Sequence, residues 1–302
     1  MSKNFTVIGN CQSDSLVKFL ECNTNFTNIF KYISVKNIHL MNEEDLDDMY
    51  SNILPLLDLV IIQPISENYK NNYKYSTKSI LNNINSSCIS ILIPSLYFDF
   101  YYPFLTYIYN ENNKGWKLDT PYDYHDKNII KLYIDNKDNI DIKLFLEKYN
   151  EIFNNSNIFN EMYFNKSLAK NINNLKERES KYIKYCNDTT YIINSSDFIL
   201  NNYKKKLLFY AVNHPTKYLF RYISDSIFII LNMHLEEYPD QIDPLKALVI
   251  PIYKCIQKHV EFNVNDYKDF MHYDIILDQE SVINSYIEAY SNVDVEILKK
   301  NL

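Results

Sequence analysis

Glycine is almost absent from this chain. Two occur in 302 residues, Gly9 and Gly115, and arginine is as rare, with only Arg178 and Arg221. Asn, Ile, Lys and Tyr are used heavily instead, the pattern expected of an AT-rich coding sequence. A glycine kept against that pressure marks a position where the backbone needs it. A basic excess is also missing: 38 acidic side chains against 31 basic ones leave a net charge of −7, which argues against a general nucleic-acid binder. The five cysteines (Cys11, Cys22, Cys88, Cys186, Cys255) form no CxxC pair and no Cys/His cluster at zinc spacing, so no metal site is expected. The opening residues carry no basic segment leading into a long apolar one. The most apolar stretch, Cys88 to Tyr109, is interrupted by Pro94, Asp99 and Pro103 and is too broken to span a membrane. A cytoplasmic protein with reduced thiols is the expectation.

What is present is a large supply of core-forming side chains. With 28 Tyr, 17 Phe and 46% hydrophobic residues, the chain can offset the entropy of ordering itself. Phe5 to Ile8 is an apolar run ending at Gly9, and Ser13 to Leu20 follows with helical spacing. Ile29 to Val35 reads as a second strand. Glu43 to Leu54 reads as an acidic helix capped by Asn42 with Asp45 three residues on. Leu56 to Ile62, between Pro55 and Pro64, and Ser90 to Ile93, before Pro94, read as strands buried on both faces. Thr77 to Ile84 is a helix between them.

This alternation predicts an α/β fold with a parallel sheet flanked by helices. Asn110 to Asp138 reads as loop, with Gly115 and the string Tyr122 to Asp126. Lys143 to Phe153, Ser167 to Cys186 and Phe198 to Leu207 read as helices, and Tyr191 to Ile193 as a late strand. Lys217 to Leu235 and Leu245 to His259 are helical in spacing, giving a helical C-terminal extension. The expected division is 1–235 as an α/β domain and 236–302 as a helical segment packed on it.

Ligand crevices in such sheets lie beyond the carboxyl ends of the strands. Here those ends are Gly9-Asn10-Cys11-Gln12, Gln63-Pro64 and Pro94-Ser95. A thiol at Cys11, at the start of a helix, feels the helix dipole and free backbone N–H groups that favour thiolate and could hold an oxyanion. A small buried residue in a tight turn would read the same way. His214, in Asn213-His214-Pro215, is held out of helix by the proline and could serve as a general base; a loop or capping histidine fits equally. Gln12 and Gln63 carry amide N–H groups able to donate to a substrate carbonyl or a sugar hydroxyl; a helix-cap or turn residue fits each equally. His125 is a further acid–base or sugar-contact candidate, or an exposed loop residue. Lys204-Lys205-Lys206 is the obvious basic run for phosphates, although a lysine run is more often a solvated face.

Taken in order, VIGNCQ, IIQPI, IPSLYFDFYYP, YDYHD and DFILNNYKKKLLFYAVNHPT resemble the WcbI family over roughly residues 5–235. The resemblance implies an acetyltransferase of polysaccharide biosynthesis with an SGNH-hydrolase-like three-layer α/β/α fold. It implies coenzyme A or acetyl-CoA as acyl donor and a small sugar or nucleotide-sugar as acceptor. Laid on the SGNH pattern, Cys11 takes the nucleophile's place and His214 that of the late histidine. Gly9, Asn10, Gln12, Gln63, Asn213, Tyr124 and His125 would then be substrate or oxyanion contacts. The pattern is incomplete. No Gly-x-Asn-Asp block is present, and Ala211 stands where an acid three residues before the histidine would be. Asp197 or the Tyr124-His125-Asp126 segment is left to orient His214. A carbohydrate esterase or deacetylase with the same site, and a non-catalytic glycan or nucleotide-binding module, are the competing readings.

Overall fold

The computed structural model describes residues 2–110, 116–117, 124–273 and 275–302. Gly115, Tyr122 and Asp123 lie outside them. The contacts divide the chain into two units, and both are discontinuous. The first joins Met1–Tyr97, Ile172–Asn202 and Pro215–Leu245; the second joins Phe98–Asn171, Tyr203–His214 and Lys246–Leu302. The division expected at 235/236 is therefore not where the contacts part, because 98–171 and 203–214 gather with the C-terminal segment. Long-range packing of this kind leaves no linker in the sequence.

The first unit is built on five parallel strands, β1 (Lys3–Ile8), β2 (Phe30–Tyr32), β3 (Leu59–Ile62), β4 (Ile89–Leu92) and β5 (Thr190–Ile192). Their spatial order is β2-β1-β3-β4-β5. Ile8, Ile62, Leu92 and Ile192 lie in one register row. All four residues of β3 are fully buried, as a strand covered on both faces must be. From β1 the chain crosses outward to β2, then returns past β1 to β3, so the strand order reverses between β1 and β3. Helix α1 (Gln12–Leu20) buries Leu16, Val17, Phe19 and Leu20. Phe19 stacks on Phe220 of helix Lys217–Ile230 at 5.3 Å. The predicted cap is present, Asn42 and Asp45 bonding reciprocally at the start of helix Glu43–Asp48. This helix is shorter than predicted; a π turn over Met49–Ile53 follows it, ahead of Pro55.

The second unit departs further from the expectations. Lys127–Asn136, read as loop, is a helix capped by Asp126, with Ile129, Ile130, Leu132 and Tyr133 on its buried face. The segment from Leu245 to His259 is not one helix. Pro244 and Pro251 break it into a 3-10 turn, a strand Leu248–Val249 and a second 3-10 turn over Lys254–His259. Leu248–Val249, Phe270–His272 and Ile275–Leu277 form a three-stranded antiparallel sheet. The C-terminal extension is thus helical only in part, in Gln279–Ser291 and Val295–Lys300. The aromatic run at 98–102 is core: Tyr101 and Tyr102 donate their hydroxyls to the carbonyls of Tyr203 and Phe209 at 2.7 and 2.8 Å.

In the first unit Glu179, 6% exposed, caps helix Ser196–Asn202 from the side. Its carboxylate accepts from the N–H groups of Ser195 and Ser196 at 2.7 and 2.9 Å and from the Ser196 hydroxyl at 2.6 Å. Replacing it by alanine leaves two buried N–H donors without an acceptor. Glu179→Ala is expected to lower unfolding free energy by about 2–4 kcal/mol in urea denaturation. Glu179→Gln, which keeps one acceptor oxygen, should cost less.

Candidate functional site

Two groups of predicted residues are assembled, one in each unit. In the first unit, β1 runs straight into the Gly9 turn. A Cβ on Gly9 would lie 2.4 Å from Gln63 Oε1 and 2.5 Å from Ser13 Oγ, so a side chain fits here only if those two groups shift. The Asn10 N–H donates to Gln63 Oε1 at 2.9 Å. Gln63 Nε2 donates to Gln12 Oε1 at 2.8 Å, and that oxygen also accepts from the Leu96 N–H at 3.1 Å. Gln12 Nε2 completes the relay by donating to the Leu96 carbonyl at 2.8 Å. Gln12 and Gln63, expected to donate to a ligand, are 2% and 3% exposed and bonded into the protein. Their role in this geometry is to hold the ends of β1, β3 and β4 together.

Asn10 organises the start of α1. Its Oδ1 accepts from the Gln12 N–H and its carbonyl from the Ser13 N–H, both at 2.9 Å. Two of the N–H groups expected to face an oxyanion are therefore already occupied. Cys11 occupies the N-cap position of α1, half-buried, at the positive end of the helix dipole. None of the five cysteines is in a disulfide. Burial pushes the Cys88 thiol up to about 12 and the Cys255 thiol up to about 11, so those two are core residues held in the unreactive form.

In the second unit, Tyr124 and the Asn213-His214 pair come together. The Tyr124 hydroxyl donates to Asn213 Oδ1. Its ring stands edge-on to the His214 imidazole, 6.3 Å between centroids. Tyr107 packs on Tyr124 at 5.1 Å, and the Tyr286 hydroxyl donates to the Tyr124 carbonyl at 2.8 Å. His214 is half-buried and extended, and Pro215 follows it as expected.

His125 is not the exposed loop residue that was one reading of it. It is 1% exposed, with Nδ1 3.1 Å from the Tyr290 hydroxyl and its ring packed against Tyr286 and Tyr290. This is a core histidine, since helix Gln279–Ser291 covers it. Of the two acids proposed to orient His214, Asp197 is exposed and paired with Lys176 at 3.1 Å. Asp126 is buried and accepts from the Tyr253 hydroxyl at 2.5 Å and the Asn128 N–H at 2.8 Å. Lys204 and Lys205 are exposed, and Lys204 borders a cavity of about 300 Å³ with Lys258 and His259, but also with Glu161 and Glu261. Among the described residues no group of three or more His, Cys, Asp or Glu is placed to hold a metal ion, and no helix is long and apolar enough to cross a membrane.

The strand order 2-1-3-4-5 reverses between β1 and β3, and ligands of doubly wound α/β proteins bind at that point. Gly9 to Gln12 and Gln63 stand there. The fold and this turn define an α/β protein with a half-buried cysteine at the switch point of the sheet. The chain belongs to the WcbI family, described as polysaccharide biosynthesis enzyme WcbI, which matches residues 4–236. A solved structure of WcbI, a polysaccharide biosynthesis enzyme, shares the fold with a TM-score of 0.82 over 100% of this chain and 94% of that one, at 21% identity. That structure is described as the native protein without a disulfide bond between coenzyme A and a cysteine. A DNA-directed RNA polymerase subunit beta'' of Plasmodium falciparum (isolate 3D7) is 28% identical over 211 residues, 70% of this chain. The chain spans 20% of that relative's length.

Two outcomes follow from this geometry. Gly9→Ala forces Gln63 or Ser13 to move and is expected to cost about 1–3 kcal/mol, read from the urea midpoint. Burial, working against its hydrogen bonds, pushes the Asp126 carboxyl up to about 6. A folded-state value above the unfolded one means that the folded protein holds the extra proton. Stability from this group is then full below about pH 4 and is lost as pH rises to about 6, by roughly 3 kcal/mol. Asp126→Asn keeps the cap and lacks this loss. Denaturation at pH 4 and pH 7 should show the variant gaining on the wild type as pH rises.

Proposed function

We propose that this protein transfers an acetyl group from acetyl-CoA to a hydroxyl or amine of a sugar, nucleotide-activated or glycan-linked, in polysaccharide biosynthesis. One observation carries the reading most directly: a half-exposed cysteine at the switch point, in a family whose solved member is described in terms of coenzyme A and a cysteine. Cys11 and His214 are the catalytic pair in this proposal. The Cys11 thiolate attacks the thioester carbonyl, the bond to the coenzyme's sulfur breaks, and coenzyme A leaves as the thiolate, which takes its proton from solvent. His214 then takes the proton from the acceptor hydroxyl or amine as that atom attacks the acyl-cysteine, and the Cys11 thiolate is released. In the direct route His214 deprotonates the acceptor, which attacks acetyl-CoA itself, and Cys11 only lines the carbonyl's site.

Asn213 and Tyr124 are the positioning residues beside His214. A hydroxyl bonded to Asn213 Oδ1 fixes the amide's orientation one residue before the base. Gln12, Gln63, Gly9 and Asn10 position Cys11 through the relay and the turn.

The test is acetyl transfer to amino- and hydroxy-sugar nucleotides, followed by mass spectrometry of the protein after brief mixing with acetyl-CoA alone. The covalent route predicts a 42-Da adduct on Cys11, about the mass of one acetyl group replacing a proton, and loss of about 10²–10⁴-fold in turnover in Cys11→Ser. No adduct and near wild-type turnover in Cys11→Ser would assign the direct route. Tyr124→Phe is expected to lower kcat about 3- to 30-fold with little change in KM.

A further inference from the structure

The second unit contains a cleft that no predicted site residue touches. It encloses about 450 Å³ and is bordered by Thr106, Lys127, Tyr163, Lys166, Ser167 and Lys170. In a chain of net charge −7, three ammonium groups on one cleft are a local reversal of sign. Lys166 and Lys170 are four residues apart on helix Glu161–Tyr182 and so point from the same face. Lys127 enters from the first turn of helix Lys127–Asn136.

The charges are not balanced within the protein. Lys176 and Lys181, further along the same long helix, are paired with Asp197 and Glu177. Among the described residues Lys166 and Lys170 have no ion pair. Asp99, the one carboxylate among the described residues bordering the cleft, bonds Asn171, its Oδ1 accepting from Asn171 Nδ2 at 2.6 Å and its N–H donating to Asn171 Oδ1 at 3.0 Å; it offsets one of the three ammonium groups and leaves the wall with an excess of positive charge. Lys127 Nζ donates to the Leu302 main-chain oxygen at 2.8 Å, which leaves it two further N–H groups. Tyr163 is fixed by a parallel stack on Phe159, ring centroids 3.8 Å apart. Unpaired like charges gathered on one wall repel each other, and a multivalent anion with several acceptor oxygens removes that cost. The cavity bordered by Lys204 lacks this one-sided character, because two glutamates share it.

We propose that this cleft binds the phosphate-bearing part of a substrate. Its wall is continuous with the His214 group of the same unit. Thr106 pairs with His125 and Leu105 with Asp126, which places Tyr107 and Tyr124 immediately beyond the cleft. The assignment of an owner to the phosphates rests on the reading above: they are those of coenzyme A or the diphosphate of a nucleotide-sugar acceptor. The volume suits a diphosphate or a phosphorylated ribose rather than a single phosphate.

Calorimetric titration with inorganic pyrophosphate, acetyl-CoA and a uridine-diphosphate sugar tests this. The proteins are the wild type, Lys166→Ala/Lys170→Ala, and a charge-matched control, Lys137→Ala/Lys143→Ala, all checked by circular dichroism. Expected is saturable pyrophosphate binding to the wild type and the control, weakened at least 10-fold in Lys166→Ala/Lys170→Ala. The substrate that loses affinity with it identifies the owner of the phosphates. Equal pyrophosphate affinity in all three proteins, or equal loss in the control, would overturn the site. Pyrophosphate binding that depends on these lysines, without any acetyl-CoA binding to the wild type, would uphold the cleft and refute the acetyl-CoA reading.

Discussion

Two glutamine side chains hold the carboxyl end of the sheet together. Gln63, at the end of β3, takes the Asn10 N–H on its oxygen and gives its own N–H to Gln12; Gln12 closes on both polar groups of Leu96, beyond β4. Backbone groups beyond two strand ends, at Asn10 and Leu96, are thereby satisfied in a nearly dry environment, where each unmade bond is costly. A carboxylate in place of the Gln63 amide would set oxygen against oxygen at Gln12. The fit also explains the glycine. The space a Cβ would take at Gly9 is already filled by Gln63 and Ser13. Cys11 inherits its position from this lattice, because the residues on both sides of it are fixed.

The tyrosine-rich second unit solves a different problem. A core made of phenols must place each hydroxyl, and here they are placed on carbonyls, on Asp126 and on His125. Burial drives the ionisation of Tyr101, Tyr102, Tyr149, Tyr253 and Tyr290 well above its ordinary range, so these hydroxyls stay neutral. Asp126 accepts several of those donors and still has its carboxyl raised, because loss of water outweighs the hydrogen bonds. Its carboxylate stabilises the start of helix Lys127–Asn136 and the packing of Tyr253, a structural duty.

The parallel sheet was legible because β1, β3 and β4 end in short, largely apolar runs bounded by Gly9, Pro64 and Pro94. The site turn was legible because one of two glycines stands in it, with Cys11 two residues on. The glutamines were placed at the strand ends but aimed at a ligand. Their true direction follows from register, which pairs Ile8 with Ile62 and so sets the Gly9 turn beside Gln63, and register is a long-range property. Helix Lys127–Asn136 was hidden by the polar-aromatic string before it, although Asp126 and the Ile129–Tyr133 spacing carried the signal. The C-terminal strands are two or three residues long, too short for a periodic signal, and the interleaving of the two units depends on contacts between segments far apart in the chain, which periodicity does not encode. The lysine cleft shares that character, since Lys127 and Lys166 meet only in the fold.

Binding of acetyl-CoA to the wild type and to His214→Ala, followed by titration calorimetry alongside an acetyl-transfer assay, bears most directly on the acyltransferase reading. Saturable binding in both proteins, with transfer lost only in the variant, is the predicted result and places His214 in proton transfer. A folded wild type that takes up no acetyl-CoA at millimolar concentration would contradict it, and the same turn would then have to be tested as an ester hydrolase.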